Sequence, residues 1–213
     1  AAPSDKKIGG AFYSRFNEFK IPRVFSSYTG SITAILQQGH ELGHAFHYWQ
    51  IRDLPVIETE FPMTLTETAS TFNEAVIRRH LFEGAGEAEQ FAMLWQEARS
   101  AANFLLNTIV RMEFELAFLK EREKGGVPAS KCFALMETAW REWYGDSTVG
   151  TDECLWAYKL HYYKTDQFIY NYPYTVGYLL SQALMKELSE RGNDFYPFYI
   201  ALLRDTGRMT VDG

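Results

Sequence analysis

The pentapeptide His40-Glu41-Leu42-Gly43-His44 constrains this chain more than any other feature. Two imidazoles four residues apart meet on one face only in an α-helix, where that spacing is about one turn. Both rings can then reach one metal ion. Glu41 lies beside that ion without coordinating it, placed to take a proton from a water whose acidity the metal has raised. Gly43 allows another backbone to approach the same face closely. Only three of the five positions are fixed, so the pattern needs a helix and a third ligand to carry weight. The sequence offers both. Ile32, Ile35, Leu36, Leu42 and Ala45 surround the motif with apolar positions, and Glu67 follows His44 by 23 residues. That separation fits a loop and the first turn of an antiparallel second helix. Two histidines and a glutamate with an open fourth position form a catalytic zinc set rather than a closed structural one. Cobalt or manganese would fit the same donors.

Three nearby residues read less sharply. His47, seven positions after His40, falls on nearly the same face and is expected beside the site or in its cleft. Glu74, seven after Glu67, either holds a ligand histidine through its ring N–H or pairs with Arg78 one turn on. His80 reads as a surface histidine near a helix C-terminus.

The rest of the chain is predicted to be mainly α. Ala11–Ser14 and Arg23–Tyr28 lean towards β and are joined by the polar segment Asn17–Lys20, which suggests a small hairpin or sheet. Ser31 is a plausible N-cap for a helix over Ile32–Ile51. Further helices are expected from Met63 or Thr64 to about residue 82, over Glu87–Lys124, Ser130–Trp143, Asp152–Tyr163 and Pro173–Arg191, with a short one over Asp194–Arg204. Phe91, Leu94, Trp95 and Ala98 begin a regular apolar stripe in the long third helix.

Among the 213 residues, 21 basic against 27 acidic side chains leave a net charge of −6, which argues against binding nucleic acid by phosphate neutralisation. No stretch reads as a signal peptide or a membrane span, so a soluble, cytoplasmic protein with no membrane partner is expected. Cys132 and Cys154 are too few for a disulfide scaffold and are expected to be buried thiols. Aromatic residues reach 16%, with Tyr158, Tyr162, Tyr163, Tyr170, Tyr172, Tyr174 and Tyr178 crowded together. Such a cluster suits either a wet cleft wall or a half-buried helix seam.

Three motifs occur in order: the His40–His44 helix, the segment Pro62-Met63-Thr64-Leu65-Thr66-Glu67-Thr68-Ala69-Ser70, and His161-Tyr162-Tyr163 followed by Tyr170-Asn171-Tyr172-Pro173-Tyr174-Thr175-Val176-Gly177-Tyr178. With them the chain resembles the oligoendopeptidase F group of the thimet oligopeptidase (M3) family of zinc metallopeptidases, from about Gly9 to its end. The resemblance implies a mostly helical, deep-channelled body that cuts short unfolded peptides. It implies that His40, His44 and Glu67 hold zinc and that Glu41 is the general base. It also implies that His161 and nearby tyrosines bind the scissile carbonyl and the oxyanion. Among these, Tyr178 is the first choice and Tyr174 the second. Tyr170, Tyr174 and Tyr178 share a face if the helix reaches back that far, and Tyr172 would point elsewhere.

Family members are much longer, with an N-terminal helical half forming the opposite channel wall. The chain is therefore expected to be the C-terminal catalytic part of a longer enzyme, a helical zincin-like single domain over 1–213. It would have a β segment at 9–29 and metal-site helices at 32–51 and 64–82. An exposed inner wall would favour self-association. Two other readings stay open: a zinc-binding fragment without turnover, and a metallocarboxypeptidase. The second requires a basic residue for a terminal carboxylate, for which Arg52, Arg78 and Arg141 are the candidates.

Overall fold

In the computed structural model, which describes residues 10–165 and 167–210, the chain is mainly α with one two-stranded antiparallel sheet. Gly9, the first residue of the expected β segment, lies outside the described residues. Strands β1 (Ala11–Phe16) and β2 (Ile21–Ser26) pair in register from Ala11 with Ser26 to Phe16 with Ile21. The four-residue loop between them closes through Lys20 at φ 52°. The hairpin packs on helix α1 (Ile32–Ile51), whose start is capped by Ser31: its Oγ accepts the Ala34 N–H at 3.1 Å. Helix α2 (Thr68–Glu83) packs beside α1. It begins later than its apolar pattern suggests, because Pro62 leads into a separate 3₁₀ turn, Met63–Leu65.

The long third helix is broken. α3 (Glu87–Ala102) and α4 (Thr108–Arg122) flank a π-helical turn at Asn103–Asn107. Thr108 Oγ1 donates to the Asn103 carbonyl five residues back, at 3.0 Å. The predicted apolar stripe of α3 does not form core: Phe91 is 72% exposed, Leu94 57% and Trp95 62%. Helix α5 (Ala129–Tyr144) follows. The expected helix over 152–163 is instead a single turn, α6 (Leu155–Tyr158), and a 3₁₀ turn, Leu160–Tyr163, separated by Lys159 in an extended conformation. Side-chain anchors outweigh helix propensity here. Tyr162 Oη donates to the Arg111 carbonyl at 3.1 Å, and Tyr163 Oη to the Ala157 carbonyl at 2.8 Å. Helices α7 (Tyr172–Arg191) and α8 (Phe195–Asp205) complete the order.

The chain divides into two compact units, Ala1–Met93 with Val176–Gly213, and Leu94–Thr175. The first is built on Ala69, Phe72, Leu184, Phe195, Tyr199 and Leu203. The second is built on Val110, Phe114, Cys132, Met136, Ala139 and Leu155. Cys132 is buried as expected, whereas Cys154 is exposed; both are free thiols. Among the described residues no helix is long and apolar enough to cross a membrane.

Candidate metal centre

In the first unit, the helical spacing on α1 sets His40 and His44 side by side, their Nε2 atoms 3.2 Å apart. Glu67, at the N-cap position of α2 rather than in its first turn, turns Oε2 towards both, 3.1 Å from His40 Nε2 and 3.5 Å from His44 Nε2. These three atoms are the one group of metal-ligand geometry among the described residues. Zinc bonds of about 2.0–2.2 Å in a tetrahedron require ligand atoms about 3.3–3.6 Å apart. The triangle found here, with sides of 3.1, 3.2 and 3.5 Å, comes within about 0.2 Å of that spacing, and the donor set is the kind that leaves a metal's fourth position open.

Two close backbone approaches and a set of side-chain hydrogen bonds hold Glu67 in place. A Cβ on Gly43 would lie 2.5 Å from the Ala69 carbonyl oxygen and 2.6 Å from Ser70 Cα, so α1 and α2 meet where Gly43 offers no side chain. A Cβ on Gly177, in α7, would lie 2.8 Å from Glu67 Cβ. Thr71 Oγ1 lies 2.6 Å from the Glu67 carbonyl and 2.8 Å from the Gly177 carbonyl, its one O–H shared between them, so that it clasps α2 to α7. Ser70 Oγ donates to Glu67 Oε2 at 3.0 Å. Asn73 Nδ2 donates to the Gly39 carbonyl at 2.6 Å, tying α2 to α1 one turn further along. Of these, sequence reasoning anticipated only the close approach at Gly43. A serine three positions after a candidate ligand was a readable signal for Ser70.

Both readings of Glu74 hold together. Its Oε1 lies 2.6 Å from His40 Nδ1 and its Oε2 is 3.7 Å from Arg78 Nη2. The hydrogen bond places the His40 proton on Nδ1 and leaves Nε2 for a metal. Burial works against a charge on His40, but the hydrogen bonds to Glu67 and Glu74 outweigh it and raise its pKa to about 10. Burial likewise opposes the Glu67 carboxylate, yet His40 and His44 hold it well below the usual carboxylate range. With no metal bound, the positive charge of the cluster is thus a proton on His40, held between Glu67 and Glu74.

Glu41 is 9% exposed, and burial raises its pKa against the lowering effect of His40, His44 and the Tyr13 backbone N–H. The Tyr13 contact means that β1 helps to hold the candidate base. The Tyr13 ring lies 5.8 Å from that of His44.

His47 is not a cleft residue. It is 2% exposed, stacked on Phe61 at 4.4 Å, and its Nε2 lies 3.2 Å from the Leu203 carbonyl and 3.0 Å from Thr206 Oγ1. Burial lowers its pKa to about 4. It is a neutral core histidine joining α1 to the end of α8. Among the candidate carboxylate-binding arginines, Arg52 lies over the Trp49 ring, Arg141 faces Glu137 on the exposed side of α5, and Arg78 contacts Glu74. Tyr178 lies on α7 next to Gly177, and its carbonyl accepts from Ser181 Oγ at 2.7 Å.

In the second unit His161 sits in a ring of aromatic groups. Tyr174 stacks on it at 5.8 Å and Tyr170 meets it edge-on at 5.6 Å. Tyr170 precedes α7, so its place beside Tyr174 comes from the turn before the helix and not from a shared helical face. The π turn contributes here as well, since the Phe104 carbonyl accepts Thr175 Oγ1 at 2.6 Å.

A mainly helical fold with a His–His–Glu donor set and an adjacent buried glutamate defines a protein of the metallopeptidase type. The family model for Peptidase family M3 matches residues 29–207, and the chain belongs to that family. A comparison with curated protein sequences finds no significant match. Among solved structures, a protein assigned as oligoendopeptidase F superposes with a TM-score of 0.78 at 22% identity, over 100% of this chain and 38% of its own. One with the same assignment from Bacillus anthracis str. Ames gives 0.69 at 19% identity, over 99% and 35%. A peptidase from Chlamydophila abortus gives 0.72 at 21% identity, over 93% and 34%. The chain therefore spans little more than a third of the length of these structures and shares their fold over that part.

Proposed function

We propose that this chain carries the catalytic site of a zinc-dependent endopeptidase acting on short peptides. The observation that supports it most is the convergence of His40 Nε2, His44 Nε2 and Glu67 Oε2 beside the buried carboxyl of Glu41. A zinc ion held by those three residues would supply Lewis acidity and lower the pKa of a water to about 7. Glu41 takes the proton of the attacking water and passes it to the leaving amine. Its raised pKa suits both halves of that transfer. Tyr178 and Tyr174 are phenol donors for the oxyanion, each worth about 2.7–4 kcal/mol if aimed at it. His161 is the imidazole proposed to contact the peptide. Zinc is the metal proposed, since two imidazoles and a carboxylate suit it best.

Oligopeptides are the proposed substrates, and the outer edge of the β1–β2 hairpin is a candidate for pairing with an extended one. Mass spectrometry of an oligopeptide mixture incubated with zinc-loaded protein tests the reading. Internal cleavage by wild type that Glu41→Gln abolishes is the expected result. A second reading is zinc binding without turnover. Bound zinc with an untouched mixture would decide for it. Release of single C-terminal residues would instead favour a carboxypeptidase.

A further inference from the structure

Two side chains behind His161 carry an inference of their own. Glu115, on α4, uses both carboxylate oxygens on the turn before α7: Oε1 accepts the Ile169 N–H at 2.8 Å and Oε2 accepts Asn171 Nδ2 at 3.3 Å. Ile169 is held at φ 54°, a conformation that β-branched residues rarely adopt, and its carbonyl accepts the Asn171 N–H at 2.8 Å. The strained turn delivers Asn171, 0% exposed, to His161, with Asn171 Oδ1 3.2 Å from His161 Nδ1.

The hydrogen-bond chemistry of this chain of contacts runs one way. A carboxylate only accepts, so the Asn171 amide presents its NH₂ to Glu115 and its oxygen to His161. An amide oxygen also only accepts, so Nδ1 of His161 carries the hydrogen. A neutral imidazole has one N–H, which leaves Nε2 with a bare lone pair. This is the opposite of the tautomer that a histidine side chain favours in water. The groups around the ring are Tyr170 and Tyr174, Asn171 with Glu115 behind it, and the cations Arg111, Lys159 and Lys164. Burial first, and then these cations against the opposing Asn171 hydrogen bond, lower the His161 pKa and keep the ring neutral.

We propose that Glu115 and Asn171 are positioning residues that lock His161 as its Nδ1–H tautomer, so that Nε2 accepts a hydrogen bond from a backbone N–H of the bound peptide. The peptide contact rests on the endopeptidase reading; the tautomer does not. In this arrangement His161 grips the peptide as an acceptor, and oxyanion donation falls to the tyrosines.

Long-range proton–nitrogen spectra of protein with ¹⁵N-labelled histidine test the proposal at neutral pH, with His161 assigned by the signal lost in His161→Gln. The expected wild-type spectrum has a protonated Nδ1 and an unprotonated Nε2. Glu115→Gln frees the Asn171 amide and is expected to shift the ring towards the Nε2–H form. Asn171→Asp keeps an acceptor at Nδ1, so the tautomer should persist while the His161 pKa rises. Unchanged signals from the other four histidines would show that each variant is folded. A protonated Nε2 in wild type, or no change in Glu115→Gln, would overturn the lock. In zinc-loaded Glu41→Gln, adding an oligopeptide should move the Nε2 resonance. If wild type cleaves that peptide and Nε2 does not respond, the acceptor role fails while the peptidase reading stands. If no peptide is cleaved and the Nδ1–H tautomer is seen, the peptidase reading fails and the lock stands.

Discussion

Gly177 lies so close to Glu67 that a Cβ at position 177 would come within 2.8 Å of Glu67 Cβ and 2.9 Å of its carbonyl oxygen. A helix from late in the sequence thus seats a proposed ligand from early in it. Gly177→Ala forces the backbones of α7 and α2 apart, and overpacking of this kind costs about 1–3 kcal/mol. The same displacement carries Glu67 from its histidines. Denaturant unfolding of the metal-free protein should show that loss, and chelator competition a zinc affinity at least about tenfold weaker. Gly43→Ala, which meets the Ala69 carbonyl oxygen at 2.5 Å, should behave alike.

Glu74 and Ser70 hold the proposed ligands without being donors themselves. Glu74→Ala removes the acceptor at His40 Nδ1, and Ser70→Ala removes the hydroxyl that donates to Glu67 Oε2. Loss of such a supporting contact weakens metal binding by about 10–100-fold. Zinc titration against a chelator should place Glu74→Ala in that range, with a smaller loss for Ser70→Ala.

His47 makes stability depend on pH. Its folded pKa of about 4 lies below the 6.5 of an exposed histidine, so between those values the unfolded chain takes up a proton that the folded one refuses. Stability therefore falls as pH drops from about 6.5 to 4, by about 3 kcal/mol at full effect. Urea unfolding across this range should show that loss in wild type and a flatter profile in His47→Gln. An equal slope in both would contradict the assignment.

The exposed face of α3 predicts self-association. Phe91, Leu94 and Trp95 form an apolar stripe with little cover. Sedimentation velocity should show wild type growing heavier with concentration and Leu94→Glu/Trp95→Glu remaining monomeric. A wild type that stays monomeric throughout would remove the proposal.

What could be read from the sequence was local. α1, its Ser31 cap and the paired histidines follow from helical periodicity, and Glu67 from the spacing between two helices. The features that escaped are set by contacts distant in the chain. Periodicity marks Phe91 and Trp95 as apolar but cannot say whether anything covers them. The π turn at Asn103–Asn107 leaves the apolar pattern almost unaltered. Lys159 breaks a helix because Tyr162 is anchored to Arg111, 51 residues away. Ile169 adopts its left-handed conformation against its own preference because Glu115, 54 residues distant, takes its N–H. His47 shares the face of the zinc motif, yet the end of α8 claims its Nε2.

The central claim is that His40, His44 and Glu67 form a zinc centre. X-ray absorption at the zinc edge, on wild type and on His40→Ala/His44→Ala loaded in parallel, tests it most directly. The account predicts one zinc per wild-type chain with two imidazole nitrogens and carboxylate oxygen in its shell, and none in the double variant. A zinc shell containing sulfur, or zinc retained after both histidines are removed, would contradict it.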